Sequence, residues 1–93
     1  MLSAPEKRPD VWPIPHPYDR GLRHAELGDY QEAIENFTEA IRLRPNYSPA
    51  FFNRGLSHGA LGHHLKAIED FNEAIRLRPN YAGAFFNRGL SHG

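Results

Sequence analysis

Residues 39–47 read EAIRLRPNY, and residues 73–81 read EAIRLRPNY again. Residues 50–59 read AFFNRGLSHG, as do residues 84–93. Both second copies are displaced by 34 positions. A fixed period in the range of about 20–50 residues is the mark of a solenoid, in which identical supersecondary units stack and bury faces that none could bury alone. The period therefore constrains the fold before any residue is considered singly.

Within one period the pattern is that of two helices. From Pro17 to Leu27, Tyr18, Leu22, Ala25 and Leu27 recur at helical spacing; Pro17 sits where a missing N–H costs nothing, and Gly28 follows in the place of a left-handed cap. Residues 30–44 give a second helix, with Ala33, Ile34, Phe37, Ala40 and Ile41 on one face. Acidic Glu32 and Glu35 lie early and basic Arg42 and Arg44 late, matching the helix dipole, and Pro45 ends the run. The scheme then repeats. Ser48-Pro49 reads as an N-cap and an N1 proline, Gly62 closes the first helix near Leu61, and a second helix covers roughly 64–78 before Pro79. A further first helix opens near Ala82 and the sequence stops at Gly93. The expectation is an all-α chain of about five helices.

These features resemble the tetratricopeptide repeat. The family pattern W-x2-L-G-x2-Y…A-x3-F…P maps without gaps onto units 14–47 and 48–81 and a partial unit 82–93. Its small and aromatic positions fall on Ala33, Phe37 and Ala40, then on Ala67, Phe71 and Ala74; its proline falls on Pro45 and Pro79, and its glycine on Gly21, Gly55 and Gly89. The departures are periodic too. Pro17, Phe51 and Phe85 stand at the tryptophan position, Arg20, Arg54 and Arg88 at the leucine, and His24, His58 and His92 at the tyrosine. An unpaired buried charge is very costly, so the arginines imply a helix side that reaches solvent or a carboxylate.

The resemblance implies a right-handed α-solenoid of antiparallel helix pairs over residues 16–93, with the first helix of each unit lining a concave groove. Tyr18, Leu22, Phe52, Asn53, Leu56, Phe86, Asn87 and Leu90 are the expected groove residues, joined by Asp19. Phenylalanine and leucine supply apolar area, and asparagine offers both a donor and an acceptor to an extended peptide or short helix. The implied function is non-catalytic protein binding, as a scaffold or adaptor. Family members that grip the C-terminal carboxylate of chaperones use basic residues with asparagine in the groove. Asn53 matches, but Tyr18, Leu22, Gly83 and Asn87 stand at the other positions, so that clamp is not assembled.

Other chemistries fit less well. Acidic and basic side chains number 11 each, so no net field draws nucleic acid or an anionic membrane. Arg42, Arg44, Arg76 and Arg78 recur at helix ends, but Glu39 and Glu73 lie three residues before Arg42 and Arg76, within ion-pair reach. His24, His58 and His92 read as substituted packing positions and His63-His64 as a surface pair, so no metal or other cofactor is expected. No nucleophile or acid–base constellation is in view, and an enzyme is not expected. The chain has no cysteine, no run long enough to span a bilayer and no secretory h-region, so a cytoplasmic protein is the default. Residues 1–15 form a proline-rich arm carrying Val11, Trp12 and Ile14, which packs on the first unit or lies in the groove. The last helix copies an internal one, leaving Phe85, Phe86 and Leu90 without the helix they are patterned to meet. A fragment of a longer array is expected, with self-association through Phe85, Phe86 and Leu90 as the alternative function and a last helix that caps a monomer as the third reading.

Overall fold

The computed structural model describes residues 16–79. They form four helices: α1 (Pro17–Glu26), α2 (Tyr30–Leu43), α3 (Ser48–Ala60) and α4 (His64–Leu77). The fifth expected helix, with Phe85, Phe86, Asn87 and Leu90, and the proline-rich arm lie outside the described residues. α1 packs on α2 and α3 on α4 as antiparallel pairs; α2 also packs on α3, and α1 touches α3. This is the stacked-hairpin arrangement of an α-solenoid, with no strand among the described residues.

The core is the alanine–phenylalanine stripe. Ala33, Phe37 and Ala40 on α2, and Ala67, Phe71 and Ala74 on α4, are all essentially inaccessible to water. Burying each phenylalanine side chain contributes about 1.5–3 kcal/mol. Room for the rings comes from the facing helix. A Cβ added at Gly21 would lie 2.5 Å from the Phe37 ring, and one added at Gly55 would lie 2.6 Å from the Phe71 ring. The glycine position is thus a close approach between paired helices, as the repeat pattern implies.

Both hairpins turn in the same way. Gly28 and Gly62 have φ +82°, a left-handed conformation that costs other residues about 1 kcal/mol or more. The Gly28 N–H donates to the Ala25 carbonyl at 3.0 Å and the Asp29 N–H to the His24 carbonyl at 2.8 Å; Gly62 to Gly59 and His63 to His58 repeat these distances. This is a Schellman motif, which brings the residue just after the glycine alongside the one five positions earlier. One boundary differs from expectation. Ser48 is not an N-cap: α3 starts at Ser48 itself, Tyr47 precedes it in extended geometry, and the Ser48 hydroxyl is buried without a hydrogen-bond partner. At α1, by contrast, the His16 ring Nδ1 accepts from the Tyr18 N–H at 3.1 Å and caps the helix.

Candidate protein-interaction site

α1 and α3 carry the six expected groove residues that are described, of which Asp19 is exposed. Tyr18, Leu22, Phe52 and Asn53 are half-buried, and Leu56 is 37% exposed. Tyr18 and Asn53 come together across the two units: the Asn53 amide donates to the Tyr18 hydroxyl at 3.0 Å and to the Pro49 carbonyl at 2.9 Å. A carbonyl can only accept, so the second bond fixes the amide's orientation. Both amide hydrogens are then committed within the protein. Asn53 therefore offers a ligand an acceptor, not the donor–acceptor pair read from its residue type.

The aromatic residues divide between core and surface. The Phe52 ring lies 5.9 Å from that of Phe71 and packs against the α4 core cluster, as does Phe51. Phe52 thus belongs in part to the packing between helices. Tyr18 sits 5.8 Å from Phe37 and edge-on to Tyr47 at 5.2 Å. Beside it a pocket of about 230 Å³ is lined by His16, Tyr18, Asp19, Ala40, Arg44 and Tyr47. The Arg44 guanidinium lies 4.5 Å from the Tyr47 ring centroid, within range of a cation–π contact. Arg44, Tyr47 and Ala40 come from α2 and the turn after it, so this pocket needs more than the first helices of each unit. The 34-residue spacing alone gives no sign of it.

The periodic arginines behave as the cost of a buried charge requires. Arg54 grips Asp70 through two bonds of 2.8 Å, Nε to Oδ2 and Nη2 to Oδ1, and its Nη1 donates to the Thr38 hydroxyl at 3.1 Å. Asp70 is 5% exposed. In the first unit Arg20 Nε donates instead to the Asn36 side-chain oxygen at 2.9 Å. At the helix ends, Arg42 pairs with Glu39 and Arg76 with Glu73. Each arginine holds its glutamate below the usual carboxylate range, and is itself raised, through the hydrogen bonds between them. A basic edge built on these arginines is thereby half neutralised.

His63 and His64 are both exposed, as a surface pair would be, but His63 also reaches His58. His58 is buried at 9% exposure, and its Nδ1 lies 3.2 Å from the Nδ1 of His63. Its Nε2 is 4.0 Å from Asp70 Oδ2. His63 is thus tied to His58, not to its neighbour His64. The Schellman spacing around Gly62 was the signal for this contact. Burial, the largest cause, pushes the His58 pKa below its ordinary value, opposed by Asp70 and reinforced by Arg54, His63 and Lys66. Among the described residues no group of three or more histidine, cysteine or carboxylate side chains could hold a metal ion, and no helix is long and apolar enough to cross a membrane.

The tetratricopeptide repeat family model matches residues 18–82 and 52–92. The chain belongs to the tetratricopeptide repeat family. The match spans both described hairpins and runs in the register set by Gly21, Phe37, Gly55 and Phe71. No curated protein sequence matches closely enough to count as a relative. Among solved structures, this tetratricopeptide repeat chain is similar to MamA, with a TM-score of 0.80 and 30% identity over 82% of the present chain and 44% of that one. It is similar to the Sgt2 repeat domain from Aspergillus fumigatus, with a TM-score of 0.77 and 29% identity over 81% and 50% of the two chains. It also shares its fold with the first repeat domain of Spaghetti (RPAP3), solved with the HSP90 peptide SRMEEVD; there the TM-score is 0.80 at 24% identity over 82% and 60%. The chain therefore spans about half the length of these structures.

Proposed function

We propose that this chain is a non-catalytic protein-interaction module that holds an extended peptide or short helix along the face formed by α1 and α3. The observation that carries this reading is the exposed Leu56, one turn beyond the Tyr18–Asn53 contact that joins the two units. An apolar side chain and a fixed acceptor thus lie on α3, and the Tyr18 that meets Asn53 also lines the aromatic pocket. Phe86, Asn87 and Leu90 extend the proposed groove by repetition, outside the described residues. The RPAP3 domain, which shares this fold, was solved bound to an HSP90 peptide, and this supports a peptide ligand. Asn53, with both amide hydrogens committed, favours a ligand that brings N–H donors over one that brings a terminal carboxylate. The proposal includes no nucleic-acid, membrane or cofactor role, and a cytoplasmic setting and scaffold or adaptor role go with it. Self-association through Phe85, Phe86 and Leu90 is the alternative, and rests on residues outside those described.

The test is selection from a random peptide-display library against residues 1–93, with two counter-screens. Leu56→Glu is expected to lower affinity for the selected peptides at least tenfold, while Leu65→Glu on α4 leaves it unchanged; tenfold corresponds to about 1.4 kcal/mol. Leu65 is a fair control because it is 78% exposed and lies on a second-position helix. Binders indifferent to Leu56→Glu would overturn the groove assignment.

A further inference from the structure

The two described hairpins share one backbone and differ in the charges around one histidine. His24 and His58 occupy the same repeat position. The residues that face them occupy equivalent positions too, and they differ in charge: two carboxylates in the first unit, an imidazole and an ammonium in the second. His24 Nδ1 lies 3.8 Å from Asp29, and its Nε2 lies 3.8 Å from Glu32. In the second unit those two positions hold His63 and Lys66. The turn geometry is the same in both, with φ −87° and ψ 70° at Asp29 and φ −85° and ψ 71° at His63. The substitutions therefore alter the charges around the ring without altering the turn that presents them.

A proton has different consequences in the two places. On His24, which is partly exposed, it would face two carboxylates. On His58 it would enter a buried site where Arg54 of α3, His63 of the turn and Lys66 of α4 all oppose it. Asp70 of α4 is the one group that favours it, and that carboxylate is already gripped by Arg54. No charged group of α1 or α2 acts on His58 among the described residues. The short Nδ1–Nδ1 contact adds a geometric constraint. One nitrogen must donate and the other accept. If both rings are charged, two N–H groups point at each other across 3.2 Å and the contact breaks.

We propose that the second hairpin is a proton-sensitive latch: acidification loosens α4 from α3 at the His58–His63 contact, while the first hairpin stays closed. The latch acts on the ligand face, because α3 carries Phe52, Asn53 and Leu56 and the Phe52 ring rests against Phe71 of α4. That last link depends on the groove reading; the loosening itself does not. The direction follows from linkage. A histidine whose folded pKa is depressed binds fewer protons in the folded than in the unfolded state. Stability is therefore whole above the ordinary histidine value of 6.5 and declines as pH falls below it.

The test uses amide hydrogen exchange on residues 1–93 without ligand at pH 7.5 and 5.5, corrected for intrinsic rates. Protection of α4 amides is expected to fall several-fold at the lower pH while that of α2 holds. Installing the first unit's residues, with His63→Asp and Lys66→Glu together, is expected to remove the difference. Both positions are exposed, and circular dichroism at pH 7.5 checks that the variant is folded. Equal protection at the two pH values, equal losses in both hairpins, or an acid response that survives the double substitution would each overturn the latch. Peptides selected on the groove are then measured at both pH values, so a failed groove reading leaves the exchange result standing by itself.

Discussion

Arg54 belongs to α3, donates to Thr38 of α2 and grips Asp70 of α4, so one side chain ties three helices. Its Asp70 partner is buried, and removing one member of a buried pair costs about 3–5 kcal/mol, an upper bound here because Arg54 keeps some access to water and its bond to Thr38. Asp70→Ala is therefore expected to cost up to that much in urea denaturation. Asp70→Asn should cost less than half of it, because an amide oxygen can still accept from Arg54, as the Asn36 oxygen does from Arg20. Equal losses for the two variants would mean that the charge, not the hydrogen-bonding geometry, carries the interaction. The same residue shows what single positions conveyed in the sequence. An arginine at a leucine position, repeated in register, called for solvent or a carboxylate, and Arg54 found the carboxylate. Asn53 was less informative. Its type advertises a donor and an acceptor, and only the neighbouring Pro49 carbonyl and Tyr18 hydroxyl show that the donor is spent.

At the scale of elements, the turn is as important as the helices. Gly28 and Gly62 adopt a positive φ, and a Cβ at either would meet nothing within 4 Å. Gly62→Ala thus isolates the backbone cost, expected at about 1 kcal/mol with no packing contribution. A thermal unfolding series on Gly62→Ala and Gly28→Ala should give matching losses; a much larger loss at Gly62 would mean that the His58–His63 contact is also disturbed. Helix positions were legible to within a residue or two, since proline, glycine and the alanine–phenylalanine stripe are local signals. The turn contacts were less so. His24 with Asp29, and His58 with His63, are five apart, and helical periodicity does not pair such positions. Only the cap motif around the glycine does so. The 230 Å³ pocket was hidden for a related reason, since it draws on α1, on α2 and on the turn that precedes α3.

The described residues form two stacked hairpins, and in such an array stability is approximately a sum of unit and interface terms. Phe37 is the residue through which to measure the coupling. It is fully buried in the first hairpin, on the helix that also packs against α3. Phe37→Ala is expected to cost about 3–5 kcal/mol and, through the α2–α3 interface, to lower exchange protection in α4 as well. Unchanged protection in α4 would show that the hairpins fold independently. The family and its register were readable from the 34-residue period because a solenoid writes its architecture into the sequence once per unit. What distinguishes the units was not readable in that way. Asp29 against His63, Glu32 against Lys66 and Asn36 against Asp70 lie outside the duplicated segments, and their meaning depends on which side chain they surround.

The Arg54 contacts also have a mechanical consequence. A force that opens the second hairpin must rupture the buried Arg54–Asp70 charge pair, and one that draws the two described hairpins apart must break the Arg54 bond to Thr38. One side chain therefore bears load in both directions of pulling, within a hairpin and between hairpins.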